Sequence, residues 1–190
     1  MIIVPAEEAD LPRLLKFRTD AASWLKERGT DQWAKPFPAE HILASIRRGE
    51  VFMIRATPRS DAAATITLDR DADTRLWTPE EIAEPAMYVH KLAVDRTQAR
   101  TGLGGVLLDW AGAQAAQQGA QWLRLDAWST NSRLQRYYLA EGFTHVRTST
   151  DPAVVSGWAA QRPAGHQAHP EAPHPTWLRE DSDDTPVSAS

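Results

Sequence analysis

Apolar and polar residues alternate along this chain in two rhythms, one of period two and one close to 3.6. IIVPA (2–6) is a short β-branched run. From Glu7 to Arg28 the residues Leu11, Leu14, Leu15, Phe17, Ala21 and Leu25 fall at largely helical spacing, and Gly29 ends the run. TDQWAKPFP (30–38) reads as a loop holding Trp33. Pro38 to Arg48 predicts a second helix, with proline at its start and Gly49 at its end. VFMIRAT (51–57) and AATITL (63–68) predict strands joined by a polar turn, and 69–86 is a charged insertion. MYVHKLAVD (87–95) predicts a third long strand. Gly102–Gly119 predicts a helix with Leu103, Val106, Leu107, Trp110 and Ala111 on one face. A strand over 122–129, a helix over Asn131–Ala140, a strand over 143–148 and a last strand over 154–161 complete the pattern.

Past Pro163 the rhythm stops. The remainder is rich in Pro, Ser, Asp and His and too poor in apolar residues to offset its own ordering entropy. The expected organisation is one domain over 1–163 and a disordered or loosely docked tail over 164–190. In that tail Glu171, Glu180, Asp181, Asp183 and Asp184 face only Arg179, which accounts for the net charge of −4 and leaves residues 1–163 neutral. A neutral domain lacks the basic footprint of a nucleic-acid binder. The absence of cysteine excludes disulfides, thiolate-held metals and a thiol nucleophile. His166, His169 and His174 read as parts of a solvated tail, so no metal is expected. No apolar run approaches the ~18 residues of a membrane span, and MIIVPAEEAD lacks the charged and apolar regions of a secretory signal. The expected location is the cytoplasm.

Composition does not explain why three of only ten glycines, Gly102, Gly104 and Gly105, stand at the mouth of one helix. The phosphate loop GxxxxGK[ST] fails because no lysine follows, and the dinucleotide fingerprint GxGxxG fails at Leu107. The physics common to both survives. The first amides of a helix lack intrahelical partners, the helix dipole places partial positive charge there, and glycine lets backbone approach a phosphate. Arg96 and Arg100 flank the loop. The alternative is that the glycines merely permit tight packing of strand and helix.

At this point the sequence resembles the GCN5-related N-acetyltransferase superfamily. LAVDRTQARTGLGGVLL (92–108) follows that family's strand–loop–helix motif, and NSRLQRYYLAEGF (131–143) follows its second motif at the right separation. The resemblance covers roughly residues 2–162. It implies an α/β acetyltransferase fold, a mixed and mostly antiparallel sheet with helices on both faces, and acetyl-coenzyme A as cofactor. It further implies that the pyrophosphate sits on Ala99, Arg100, Thr101, Gly102, Leu103 and Gly104, with Gly105 adjacent. The pantetheine arm is then expected to pair with the backbone of Leu92, Ala93 and Val94. Asn131 matches the asparagine that contacts the cofactor, and Tyr138 the tyrosine that protonates the departing thiolate. Two residues depart from the pattern: Ala99 replaces the usual Arg or Gln, and Arg96 the common proline.

Acetyl transfer to an amine requires a base and an acid. Asn131 and Tyr138 lie about two helical turns apart and so share a face. Asn131 could equally be a helix N-cap and Tyr138 a packing residue; Tyr137 reads as packing. His90 is the candidate base, because in a regular strand it shares a face with Tyr88, Leu92 and Val94 and its ordinary pKa of ~6.5 suits the task. A structural histidine is the alternative. Asp126 is the second candidate, with a salt bridge to Arg124 or Lys91 as its competing reading. Trp33 is expected to line the acceptor pocket or else anchor its loop, Trp77 to close over that pocket, and Asp31 to draw a cationic amine.

The resulting expectation is an enzyme transferring acetyl from acetyl-coenzyme A to a primary amine of a small molecule or peptide, by direct attack through a tetrahedral intermediate. A non-catalytic acyl-coenzyme A sensor or partner module is the alternative, and a nucleotide-binding protein a weaker one. Homodimers are common in the family, so a homodimer is one expectation for this chain.

Overall fold

Alternation carries the sheet. In strand β2 (Val51–Arg55), Val51 and Met53 are buried on one side and Ile54 on the other. The computed structural model describes residues 1–30, 32–33, 38–171 and 175–177. Ala64, Ile66 and Leu68 of β3 (Ala62–Asp69) pack with Ile54 against Leu107, Leu108 and Ala111 of helix α4 (Leu103–Gln117). On the opposite face, Val51, Met53 and Ala62 meet Leu14 and Phe17 of α1 (Leu11–Lys26) and Ile42 and Ile46 of α2 (Ala39–Arg47). Leu107 and Leu108 are wholly buried, and burying such side chains contributes about 1.5–3 kcal/mol each.

The other elements are β1 (Ile2–Pro5), α3 (Pro79–Ala83), β4 (Ala86–Val94), β5 (Trp122–Ala127), α5 (Ser132–Ala140), β6 (Thr144–Thr148), β7 (Trp158–Pro163) and β8 (Thr176–Trp177). Among the described residues the strands form one sheet in the order β6-β7-β5-β4-β3-β2-β1-β8. Pairs β4–β5 and β1–β8 are parallel and the rest antiparallel, so the expected mixed sheet with helices on both faces is present. The β4–β5 pairing runs only from Ala86↔Trp122 to Val89↔Leu125. Beyond Val89, β4 keeps β3 as its partner while its other edge opens into a slot.

Three expectations need correction. The strand expected over 154–161 occupies 158–163, because Gly157 donates to the Ser129 hydroxyl and ends the preceding loop there, and a further short strand, β8, follows it. Trp77 of the charged insertion does not close over the acceptor pocket. Leu76 and Trp77 are 4% and 2% exposed in a small core with Tyr88 and Ala159. A capping box follows, with Glu81 N–H donating to Thr78 Oγ and Thr78 N–H to the Glu81 carboxylate, and it starts α3. Trp77 is therefore no lid: it lies edge-on to Tyr88 with the Arg124 guanidinium over its ring. Finally, β4 does not alternate throughout. Its pairing with β3 shifts between Thr67↔His90 and Thr65↔Ala93, and Lys91 takes a left-handed φ of 52°. This bulge keeps His90 and Ala93 on the α1–α2 face and turns Leu92 and Val94 toward the α4 core.

After Pro163 the chain runs back across α4. The N–H groups of Ala164 and Gly165 donate to the Gln121 and Gly112 carbonyls, at 2.8 and 2.9 Å. Those of Ala168 and His169 donate to the Asp109 carboxylate, at 3.0 and 2.8 Å. Among the described residues no helix is long and apolar enough to cross a membrane.

Candidate active site

Where the parallel pairing ends, residues on the α1–α2 face floor a cleft of about 580 Å³. His90, Lys91, Asp126, Asp69, Asp73 and Ser156 are among the residues that line it. His90 Nε2 is 3.2 Å from Asp69 Oδ1 and its Nδ1 is 3.8 Å from Asp126 Oδ1. Burial by itself would lower the His90 pKa, but the Asp69 hydrogen bond and charge, aided by Asp126, outweigh it and raise the pKa. Burial raises the Asp126 carboxyl against the opposing pull of His90. Asp126 is not engaged by Arg124, whose guanidinium goes to Glu84, the Glu81 carbonyl and Gln161. Asp69 went unremarked in the sequence. Its alternation with Thr67 along AATITLD sets the two on one face, and the pairing of Thr67 with His90 makes that the face of His90.

The loop after β4 is braced at its start. Asp95 accepts from the Thr97 hydroxyl and amide and pairs with Arg13 of α1, and these contacts hold its carboxyl down at about 2. Gly102 then adopts φ 83° at the N-cap of α4, a conformation L side chains rarely take. A Cβ there would meet nothing within 4 Å, so its outer surface is open. The other two glycines serve a different need. A Cβ on Gly104 would lie 2.5 Å from the Tyr137 hydroxyl, and one on Gly105 would strike the His169 ring and Glu141. Gly102 stands at the open surface of the loop, while Gly104 and Gly105 let α5 and the 164–171 segment pack close. The first amides of α4 still lack intrahelical acceptors. Together with the unpaired edge of β4 at Leu92–Val94, these donors fit a ligand carrying a diphosphate on an extended amide chain.

Tyr138 belongs to the α4-side core, between Tyr137 and Phe143 at ring separations of 5.4 and 5.8 Å. Burial, then the nearby Asp126 and Glu141 charges, push its phenol above the ordinary range. Tyr138 thus lies on the α4 side of the sheet, while His90 and Asp126 line the cleft on the other side. Asn131 is the N-cap of α5, its Oδ1 accepting from Leu134 N–H at 3.0 Å, and its Nδ2 donates to Gln32 Oε1 at 2.7 Å. Trp33, at φ 64°, lines a second hollow of about 40 Å³ over Phe17, Ile42 and Ala93. Ser45 and Lys91 line both hollows, so Trp33 adjoins the cleft. The Arg18 guanidinium sits 5.4 Å from its ring. Asp31 and His174 lie outside the described residues.

Residues 18–143 match the model of the acetyltransferase (GNAT) family. The chain is 30% identical over 145 residues to the uncharacterized N-acetyltransferase YesJ of Bacillus subtilis (strain 168), covering 73% of this chain and 79% of that one. A GNAT-family acetyltransferase from Listeria monocytogenes 4b F2365 superposes with a TM-score of 0.71 at 24% identity, over 85% of this chain and 94% of that one. The fold is also that of yncA from Salmonella typhimurium, solved with its cofactor acetyl-CoA, with a TM-score of 0.61 at 16% identity over 90% and 98% of the two chains. A core split by a β4–β5 slot, a left-handed glycine heading α4 and a family match over most of the sheet lead to one assignment: the chain belongs to the GNAT acetyltransferase family.

Proposed function

We propose that the protein transfers the acetyl group of acetyl-coenzyme A directly to a primary amine of a small molecule or peptide. The observation that carries this reading is the end of the β4–β5 pairing at Val89↔Leu125, with His90 and Asp126 lining the cleft on one face of the sheet and Tyr138 in the core on the other. The backbone of Ala99–Gly105 would hold the diphosphate, the edge of Leu92–Val94 the pantetheine amides, and Asn131 the arm beside them. Bound there, acetyl-coenzyme A supplies an activated carbonyl and a thiolate leaving group.

The chain supplies the rest. Asp69 accepts the Nε2–H of His90, which leaves the Nδ1 lone pair of the neutral ring turned to the Asp126 side of the cleft. That nitrogen takes the amine's proton, and Asp126 stabilises the imidazolium so formed. Tyr138 has no hydrogen-bond partner for its hydroxyl among the described residues, so the proton is free to be given to the thiolate. Trp33 and the apolar hollow beneath it receive the carbon skeleton of the acceptor. The acid and base thus act from opposite faces of the sheet, and the one is not quenched by the other.

The test is release of free thiol from acetyl-coenzyme A by the purified chain across a panel of amines, amino acids and peptides. Turnover with at least one amine, abolished by blocking its nitrogen, is the expected result. Tight binding of coenzyme A with no turnover on any amine would leave only a binding module.

A further inference from the structure

Trp24, near the end of α1, gathers cations. The guanidinium carbons of Arg28, Arg96 and Arg133 lie 3.9, 4.1 and 5.9 Å from its ring centroid. They come from three separate places: the residue group just past α1, the turn that leads into the glycine loop, and the first turn of α5. Arg28 and Arg96 therefore stand within about 8 Å of each other, no farther than a screening length at physiological salt. Several arginines elsewhere on this protein are matched to carboxylates: Arg47 to Glu8, Arg48 to Glu50, Arg75 to Asp73, Arg147 to Glu81. Of the three guanidinium groups at Trp24, that of Arg28 has an ion pair among the described residues, with Glu27 at 3.8 Å, a largely exposed carboxylate. Arg96 and Arg133 have no ion pair among the described residues.

Collecting like charges on one ring is unfavourable unless an anion joins them. A guanidinium lying over an indole uses its face for the ring and keeps its edge N–H groups available, the geometry that suits a phosphate. The diphosphate of the donor is already provided for by the backbone of Ala99–Gly105. Coenzyme A carries one further phosphate, on the 3′-oxygen of its ribose.

We infer that Arg96 and Arg133, arranged on Trp24, form the subsite for the 3′-phosphate of coenzyme A. The inference rests on the reading of acetyl-coenzyme A as donor. The subsite makes the protein discriminate between coenzyme A and its 3′-dephospho form, a preference the glycine loop cannot supply.

Calorimetric titration of the full chain with coenzyme A and with 3′-dephospho-coenzyme A decides it. The unaltered protein is expected to bind coenzyme A about tenfold or more tightly. Arg96→Ala and Arg133→Ala, both at exposed positions and so compatible with folding, should each weaken coenzyme A several-fold and leave the dephospho form unchanged. Trp24→Leu should act in the same direction, with thermal melting to confirm that it folds. Equal affinity of the unaltered protein for both ligands would overturn the subsite. So would arginine variants that weaken both ligands alike, since the charges would then serve the diphosphate. Failure of the unaltered protein to bind either ligand would instead sink the donor reading itself.

Discussion

A Cβ placed on Gly104 would lie 2.5 Å from the hydroxyl oxygen of Tyr137 and 3.5 Å from the ring carbon that bears it. Glycine at this position is thus demanded by a side chain on α5, whatever a ligand requires of it. Gly104→Ala should destabilise the protein by about 1–3 kcal/mol, the usual cost of overpacking. Removing the offending oxygen leaves the ring carbon at an ordinary contact distance. Gly104→Ala combined with Tyr137→Phe should therefore recover most of the stability and the coenzyme A affinity, as read by denaturant melts and calorimetry. If the double variant stays as weak in coenzyme A binding as Gly104→Ala alone, the glycine is needed by the ligand after all.

His90 sits between Asp69 and Asp126, and its raised pKa fixes the sign of two pH effects. Since the neutral ring is the base, turnover should climb with pH through a value above the ordinary ~6.5. Asp69→Asn should move that limb to lower pH, and Asp126→Asn should move it less, because Asp69 contributes the hydrogen bond as well as charge. Stability runs the other way. The native state holds the His90 proton more tightly than the unfolded chain, so this contribution is full below ~6.5 and is lost as pH rises through the native value. His90→Gln should therefore cost most at acidic pH. An NMR titration of the His90 ring at or below ~6.5 in the unaltered protein would refute both effects.

The phenol of Tyr138 is buried against Tyr137 and Phe143, so the ring and the hydroxyl make separable contributions. Tyr138→Phe retains the ring. It should leave the melting temperature and coenzyme A affinity nearly unchanged while lowering kcat by about a hundredfold or more, the scale of a lost general acid. Steady-state kinetics beside calorimetry separates the two readouts, and an unchanged kcat would make Tyr138 a packing residue only.

Local patterns made the elements and most of the slot legible. The apolar spacing of α1 and α4, the strand VFMIR and the two motifs at 92–108 and 131–143 all carry their signal within a few residues. What was hidden depends on register. Asp69 reaches His90 only because β3 and β4 pair Thr67 with His90, a long-range alignment that no local spacing encodes. The bulge at Lys91 was equally silent, since a lysine at φ 52° is held there by its neighbours and not by its own preference. Trp77 looked like part of a polar insertion because its partners, Tyr88 and Arg124, lie on other strands. Asn131 illustrates the reverse. Its N-cap role was readable, yet its bond to the distant Gln32 was not.

Asp109 holds the segment after Pro163 to the domain. Its carboxylate accepts from Arg162 Nη2 at 3.1 Å and from the amides of Ala168 and His169, and Arg162 has no exposed side-chain surface. Loss of the carboxylate would leave a buried guanidinium without its charge partner, a change that typically costs about 3–5 kcal/mol. Asp109→Ala should lower stability on that scale and speed hydrogen exchange at residues 165–169 beyond the global change. Asp109→Asn keeps one acceptor oxygen and should fall between. The His169 ring also fills the space beside Gly105 at the start of α4. Loosening the segment should therefore weaken coenzyme A binding, although no atom of it belongs to the glycine loop. If Asp109→Ala unfolds the chain, His169→Ala tests the same coupling, since it removes the ring and leaves the Asp109–Arg162 pair intact. Unaltered coenzyme A affinity in His169→Ala would confine the segment to a structural role.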